Sequence, residues 1–176
     1  MDAPPIQYAK TADGVSIAFW ALGEGPPLVI LPNLLGSNVQ LEWEADDRRT
    51  AFERLSQRAM VIRYDWRGMG LSQRDRFDWS PEAASLDLEA VVDRLALQRF
   101  ALYGTHFSAD VAVSLAASHP ARLSHLIFGV PPFPDTYYAR LATIEPLIEQ
   151  DWELFTEIFS RLIMGWDSPL AAQRAA

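Results

Sequence analysis

The sequence predicts an α/β fold in which a mostly parallel sheet of about six strands is flanked by helices. Short continuous apolar runs, such as residues 28–31 and 100–103, are typical of strands that are buried on both faces. Segments with helical periodicity lie between these runs, and strands that alternate with helices form parallel sheets through right-handed crossovers. With 176 residues, 49% of them hydrophobic, the chain can bury a substantial core.

The chain is expected to begin with two antiparallel strands, residues 7–10 and 15–22, joined by a turn at Asp13-Gly14. A second turn, Gly-Glu-Gly-Pro-Pro at residues 23–27, leads into the third strand at residues 28–31. The continuous apolar run at residues 28–31 is typical of a strand that is buried on both faces.

A helix is expected at residues 49–58, and the fourth strand follows at residues 60–64. Ser80-Pro81-Glu82 begins the next helix, because serine caps helices, proline fits their first turn and an acidic side chain favours that end. The apolar residues of this helix are spaced to lie on a sheet: Leu86, Leu88, Val91, Val92 and Leu95.

The fifth strand, residues 100–103, precedes Gly104 and a helix of small residues from about 108 to 118. The sixth strand is expected at residues 123–128 and would form the bare edge of the sheet. An unpaired apolar edge favours pairing with another strand. We expect that the helices at residues 137–166 fold over this edge, that a second chain covers it in a homodimer through the edge or those helices, or that the natural protein is longer.

The alternation of strands and helices ends beyond Val130, so the chain is expected to divide into a core, residues 1–132, and a helical segment, residues 133–176. Pro146 is expected at a helix start or kink. The helical segment carries an apolar stripe: Ile144, Leu147, Ile148, Trp152, Phe155, Phe159 and Leu162.

The composition excludes several classes of function. The formal net charge is −8, and Lys10 is the only lysine, so neither nucleic acid nor an anionic membrane is an expected partner. There is no cysteine, which excludes disulfides, thiolate metal sites and a cysteine nucleophile. Three scattered histidines make no metal-ligand cluster, and no glycine-rich phosphate loop is present, so no cofactor is expected.

The location is expected to be cytoplasmic. The first five residues, Met-Asp-Ala-Pro-Pro, have neither the basic start nor the apolar centre of a signal peptide. No apolar run approaches the ~20 residues that a membrane-spanning helix requires.

The turn after the fifth strand is Gly104-Thr105-His106-Phe107-Ser108. It resembles the sharp strand-to-helix turn G-x-S-x-G, the nucleophile elbow of the α/β-hydrolase fold family. Glycine is expected there because the chain packs too tightly for larger side chains. The first glycine is kept, but His106 occupies the position of the nucleophilic serine.

Other segments resemble the same family. Residues 65–72, Asp-Trp-Arg-Gly-Met-Gly-Leu-Ser, are similar to the D-x-R-G-x-G-x-S loop after the fourth strand, and residues 117–123 to the helix end before the sixth. Residues 10–18 and 40–44 resemble a narrower group, in which a hydrolase-like domain is joined to transcriptional-regulator or nucleotide-cyclase domains. Over residues 6–130 the resemblance implies an incomplete α/β-hydrolase core, followed by the start of a helical lid.

The resemblance also implies a pocket between the elbow, the loop after the third strand and the lid helices. The loop Asn33-Leu34-Leu35-Gly36 could supply one oxyanion-hole N–H, from Leu34, and Phe107 the other. The alternative is that this is simply a tight loop. Phe107 and Trp43 are expected to line the pocket. Asp65 and Arg67 are expected to brace their own loop.

The expected catalytic residue is His106, as a nucleophile or a proton acceptor; the alternatives are a polar pocket residue or what remains after catalysis was lost. Ser108 falls on the first helical turn, so capping or packing is expected of it. His119 and His125 are expected far from the elbow, since parallel-strand sites lie at the carboxyl ends of strands. Asp135 follows the sixth strand without a partner histidine. A Ser-His-Asp triad is therefore not expected.

These residues favour a hydrolase-like protein that binds a small apolar molecule and has little or no hydrolytic activity alone, as a sensor or as half of a dimer. The alternative is an active, esterase-like hydrolase that uses His106 unconventionally or takes residues from another chain. A third interpretation is a non-functional product of a shortened gene.

Overall fold

The computed structural model describes residues 2–33, 37–78, 80–105, 107–130, 143–144 and 146–164, without the side chains of Phe107, Val130, Ser160 and residues 162–164. The chain divides into two compact units, residues 1–132 and residues 133–176.

The first unit begins with the predicted hairpin. Strand β1 (Gln7–Lys10) pairs antiparallel with β2 (Ser16–Leu22). Gly14 has a φ of +87°, a left-handed conformation that glycine adopts without steric cost, and its N–H donates to the Thr11 carbonyl at 2.9 Å. The Thr11 hydroxyl also accepts the N–H of Val15 at 2.7 Å. The turn at Asp13-Gly14 is confirmed.

The remaining strands complete a sheet of six in the order β1-β2-β4-β3-β5-β6. They are β3 (Pro27–Ile30), β4 (Met60–Tyr64), β5 (Phe100–Thr105) and β6 (Leu123–Val130). β2 pairs antiparallel with β4, whereas the pairs β3–β4, β3–β5 and β5–β6 are parallel. The predicted mostly parallel sheet is confirmed. The continuous apolar runs of the sequence form strands β3, β4, β5 and β6.

Two helices connect β3 to β4. Helix α2 (Asp46–Ser56) corresponds to the helix predicted at residues 49–58 and begins earlier. Helix α1 (Val39–Glu44) was not predicted, because six residues are too few to show a period clearly. The local signal for its start is Asn38, whose side-chain oxygen accepts the N–H groups of Gln40 and Leu41, both at 3.1 Å.

Helix α3 (Pro81–Arg94) connects β4 to β5, and its predicted cap is confirmed. The Ser80 hydroxyl accepts the N–H of Ala83 at 3.2 Å, and proline occupies the first turn. Helix α4 (Phe107–Ser118) follows β5 and leads through a short 3-10 turn (Pro120–Arg122) into β6.

The sheet separates two apolar clusters. Alternate residues of a strand point to opposite faces, so Phe19 and Ile62 join one cluster while Trp20 and Val61 join the other. The larger cluster includes α3 and α4, through Leu88, Val91, Val92, Ala112 and Leu115. The smaller one includes α1 and α2, through Val39, Trp43 and Phe52.

The second unit contains two described helices, α5 (Leu147–Gln150) and α6 (Trp152–Met164). Pro146 lies at the N-cap position directly before α5, as its fixed φ allows, and this confirms the predicted helix start. Rings spaced along α6 stack on one another, with centroids 5.5 Å apart for Trp152 and Phe155. The assignment of residues 133–176 as a lid stays a prediction. No helix in the described residues could cross a bilayer.

Strand β6 lies at the edge of the sheet. It pairs with β5 on one side, and no other described strand pairs with its free side. Ile127 and Phe128 on this strand are exposed. A row of unpaired backbone groups beside exposed apolar side chains is an arrangement that favours strand addition.

The homodimer through this edge stays a prediction. We expect sedimentation equilibrium to give twice the chain mass of 19.8 kDa. The variant Ile127→Lys should sediment as a monomer, because a charge on an edge strand opposes pairing. Val113→Lys, at an equally exposed valine on α4, should leave the dimer intact. A wild-type monomer at high concentration would contradict the prediction.

Candidate functional site

The candidate site lies at the carboxyl ends of β3, β4 and β5, which meet at one edge of the sheet because these strands are parallel neighbours. The N–H of Leu31 donates to the Tyr103 carbonyl at 2.9 Å, directly after the Ile30–Tyr103 pair that ends the register of the two strands. The indole N–H of Trp66, after β4, donates to the Pro32 carbonyl at 3.1 Å. The start of the loop after β3, residues 31–32, is therefore held by both neighbouring strands' ends.

The elbow begins at Gly104, where helix α4 crosses close to the strand. A Cβ added there would lie 2.9 Å from the Ser108 carbonyl oxygen and 3.1 Å from the Cβ of Ala112. Real Cβ atoms essentially never come within 2.9 Å of a backbone oxygen, so the position requires glycine. The expectation that close packing imposes this glycine is confirmed.

Ser108 closes the elbow from the helix side. Its hydroxyl accepts the N–H of Thr105 at 3.0 Å and donates to the carbonyl of the same residue at 2.9 Å. The side chain is only 2% exposed. Both hydrogen-bonding functions of the hydroxyl therefore serve the turn, as the predicted capping role requires.

Several predicted site residues lie outside the described residues: His106, Leu34, Leu35 and Gly36, as well as Asp135. Phe107 is described by its backbone, as the first residue of α4. The first N–H groups of a helix have no acceptor within the helix, so the Phe107 N–H is of the type that an oxyanion hole uses. The oxyanion hole itself stays a prediction.

Asn33 and Trp43 are both described, and their surroundings differ. The Asn33 side-chain oxygen is buried and has no hydrogen-bond partner in the described structure, although the residue as a whole is partly exposed. Trp43 is 7% exposed and packs edge-on against Trp20, with ring centroids 6.0 Å apart. The contacts of Trp43 are those of a core residue, and the pocket role predicted for it draws no support from them.

Asp65, the first residue after β4, is the hub of the edge and is fully buried. Its Oδ1 accepts the hydroxyl of Ser37 at 2.6 Å and the N–H of Val39 at 2.9 Å. Its Oδ2 accepts the N–H of Leu71 at 2.9 Å. Burial raises the pKa of the Asp65 carboxyl, and these three hydrogen bonds offset only part of that effect.

The rest of the loop is shaped around the Asp65 carboxylate. Gly70 has a φ of +49°, and a Cβ there would lie 2.1 Å from the carboxylate. The Ser72 hydroxyl donates to the Asp65 carbonyl at 2.7 Å and accepts the N–H of Ala18 at 2.9 Å. The aspartate, second glycine and serine of the motif thus form one packed unit.

Arg67 is buried between two carboxylates. Its Nε donates to Asp87 of α3 at 2.9 Å, and its Nη1 donates to Asp13 of the first hairpin at 2.7 Å. The hydrogen bond from Arg67, followed by that from Thr11, lowers the pKa of Asp13 to about 2. Burial raises the pKa of Asp87. The bracing roles expected of Asp65 and Arg67 are confirmed.

A second buried ion pair, Arg63 with Glu42, was not predicted. Arg63 Nε donates to Glu42 at 2.9 Å, and its Nη1 donates to the Ile30 carbonyl at 2.6 Å. Arg48 adds a contact to Glu42 at 3.0 Å from the surface side. The available signal was an arginine inside the otherwise apolar strand β4, since a buried charge requires a partner.

The two described histidines lie away from the elbow, as expected. His125 pairs in the sheet with Ala101, near the start of β5. His119 precedes the 3-10 turn, and its Nε2 is 3.5 Å from a carboxylate oxygen of Glu89. Both are exposed. No group of three or more His, Asp or Glu residues suited to a metal ion occurs within the described part of the chain.

No protein-family model matches this chain. An uncharacterized protein of Mycobacterium tuberculosis is 28% identical to it over 125 residues, and the match covers 71% of this chain and 35% of that protein. A protein of Mycobacterium bovis, also uncharacterized, gives the same values. The chain thus spans about a third of the length of the curated relatives it matches.

Solved structures are similar to nearly the whole chain. An α/β hydrolase from Sphaerobacter thermophilus is 28% identical, with a TM-score of 0.70, over 95% of this chain and 64% of that one. Est816, described as an N-acyl homoserine lactone degrading enzyme, is 20% identical, with a TM-score of 0.76, over 96% and 64%. The chain therefore has an α/β-hydrolase fold in incomplete form, and the predicted fold class is confirmed.

The role of Asp65 can be tested by Asp65→Ala. The change leaves the Ser37 hydroxyl and two backbone N–H groups without an acceptor, and each buried unsatisfied donor costs about 1–3 kcal/mol. We expect urea unfolding to show a loss of about 3 kcal/mol or more. Asp47→Ala, at an exposed aspartate, should change stability by less than about 0.5 kcal/mol. Equal effects of the two changes would contradict the hub role.

The Arg67–Asp13 pair predicts a pH dependence. Because the pKa of Asp13 is about 2 in the folded chain and ordinarily 3.8, its ionisation stabilises the fold above about pH 4. That stabilisation is lost as the pH falls toward 2. The Tm difference between wild type and Asp13→Asn should therefore be largest near neutral pH and shrink below about pH 4. A difference that is constant from about pH 6 to about pH 2.5 would contradict the pairing.

Proposed function

We propose that this chain is a hydrolase-like protein that binds a small apolar molecule and has little or no hydrolytic activity by itself. It would serve as a sensor or as one half of a dimer. The proposal combines two things: a carboxyl-edge scaffold of the hydrolase type, and elbow chemistry that departs from the ordinary nucleophile.

The observation that carries the proposal is that the Ser108 hydroxyl is hydrogen-bonded to the backbone of the elbow. With histidine at position 106, Ser108 is the hydroxyl closest in sequence to the nucleophile position on the helix side. Its oxygen is buried and both accepts from and donates to the backbone of Thr105. A serine nucleophile needs an exposed oxygen with a base as its hydrogen-bond partner, so Ser108 is not suited to replace it.

Other polar groups at this edge are also occupied by structural bonds. The Ser37 hydroxyl donates to the Asp65 carboxylate, and the Ser72 hydroxyl donates to the Asp65 carbonyl. The two described histidines, His119 and His125, are exposed away from this edge. His119 does contact a hydroxyl and a carboxylate, with Nδ1 3.0 Å from the Ser118 hydroxyl and Nε2 3.5 Å from Glu89, but this set lies at the end of α4 far from the elbow. Among the described residues at the carboxyl edge, no hydroxyl, histidine and carboxylate are arranged as a triad.

Binding a ligand does not require a nucleophile, whereas hydrolysis by this fold does. In open α/β sheets a crevice forms outside the carboxyl ends of the strands, and it can hold a ligand whether or not a nucleophile is present. The residues that we expect to line it are mostly apolar: Leu34, Leu35 and Phe107. An apolar wall with a few polar groups is typical of small-molecule sites.

The test measures hydrolysis and binding on matched molecules. Wild-type chain is assayed with p-nitrophenyl butyrate for turnover and with the ether of the same shape, p-nitrophenyl butyl ether, for binding. We expect saturable binding of the ether and no hydrolysis of the ester above the buffer rate. An N-acyl homoserine lactone is a useful second substrate, because it tests the activity named for Est816.

The variants His106→Ala and His125→Ala separate this proposal from an active hydrolase. We expect both to behave like wild type in the ester assay, since neither histidine supports turnover. If the chain hydrolyses the ester and His106→Ala lowers the rate by about 10²–10⁴ while His125→Ala does not, the chain is an unconventional hydrolase instead. Absence of saturable binding would contradict the binding role.

A further inference from the structure

Asn33 carries a buried side-chain oxygen without a hydrogen-bond partner among the described residues. Most buried polar atoms in folded proteins are hydrogen-bonded, because an unsatisfied one keeps the full penalty of leaving water. An exception therefore needs a physical reason. One such reason is that the partner is a ligand.

The other described atom of this kind is the Tyr64 hydroxyl, and its position explains it differently. Tyr64 is fully buried in the larger cluster, and its ring packs edge-on against Trp66 at 5.1 Å between centroids. The ring is held by packing on a central strand, so the hydroxyl is carried into the core with it. Asn33 belongs instead to a loop and is partly exposed as a residue.

The backbone just before Asn33 is fixed on both sides. The Leu31 N–H donates to Tyr103 of β5, and the Pro32 carbonyl accepts from Trp66 after β4. Asn33 is therefore held at the carboxyl edge, in the loop beside the end of the strand that leads into the elbow. A short side chain on an anchored backbone keeps its oxygen at a nearly constant position. A group that recognises a ligand needs such a fixed position.

We infer that the Asn33 side-chain oxygen accepts a hydrogen bond from the bound molecule. The inference rests on the proposed binding function and narrows its ligand to an apolar molecule that carries a donor, a hydroxyl or an amide N–H. An ether, ester or ketone of the same size offers acceptors alone and leaves the Asn33 oxygen unsatisfied.

The experiment compares two isomers, 1-hexanol and methyl pentyl ether, which differ in having or lacking a donor. Titration calorimetry on the wild-type chain should show about fivefold tighter binding of the alcohol, as one net hydrogen bond predicts. Asn33→Leu should abolish this preference while binding the ether at least as well as wild type. Asn38→Ser, a change five residues along that keeps a capping oxygen on α1, should retain the preference.

A second measurement needs no ligand. Asn33→Leu should raise the Tm of the free chain, because it removes an unsatisfied buried polar atom. A lowered Tm would overturn the inference, since the oxygen would then already have a stabilising partner such as a bound water.

The possible failures are distinguishable. Equal affinity of wild type for the two isomers, or an alcohol preference that survives Asn33→Leu, would overturn the role of Asn33 and leave the binding function standing. If the wild-type chain binds neither isomer nor p-nitrophenyl butyl ether, the proposed function fails, and this inference fails with it.

Discussion

The geometry of the site edge depends on the buried carboxylate of Asp65. It accepts hydrogen bonds from Ser37, Val39 and Leu71, and so joins the end of the β3 loop, the start of α1 and the loop after β4. Burial still outweighs these bonds, since the pKa of the carboxyl is raised. Asp65 therefore fixes the positions of these three segments through a carboxyl group that is itself removed from water. Gly70 is required because the carboxylate occupies the space of its side chain.

Two buried arginines extend this bracing on either side of the sheet. Arg67 joins the first hairpin to α3 through Asp13 and Asp87, and Arg63 joins β4 to α1 through Glu42. A guanidinium suits both places because its rigid fork satisfies two partners at once. The two sets differ from an isolated pair because Arg67 keeps Asp87 when Asp13 is removed, and Glu42 keeps Arg48 when Arg63 is removed.

The sequence predicted the strands well because buried parallel strands are short apolar runs, and it predicted the start of α3 because Ser80-Pro81 is a strong local signal. It missed α1, which is one and a half turns long, and the Arg63–Glu42 pair, whose members are 21 residues apart. Contacts between distant residues leave no periodic trace in a sequence. Within the candidate site, the local role of Ser108 was predictable from the sequence. A serine in the first helical turn commonly bonds to the backbone nearby, and Ser108 accepts the N–H of Thr105.

The elbow shows why the fold can persist when its usual nucleophile is replaced. The tight turn is imposed by Gly104, which lets α4 approach the strand, and is closed by Ser108 on the backbone of Thr105. The loops beside it are held by Asp65, and none of the hydrogen bonds of its carboxylate involves the elbow. The residue at position 106 is therefore not needed for any of these contacts, and histidine there does not interrupt the scaffold. Similarity of fold then says little about chemistry, which depends on the hydrogen-bond partners of individual hydroxyl, imidazole and carboxyl groups.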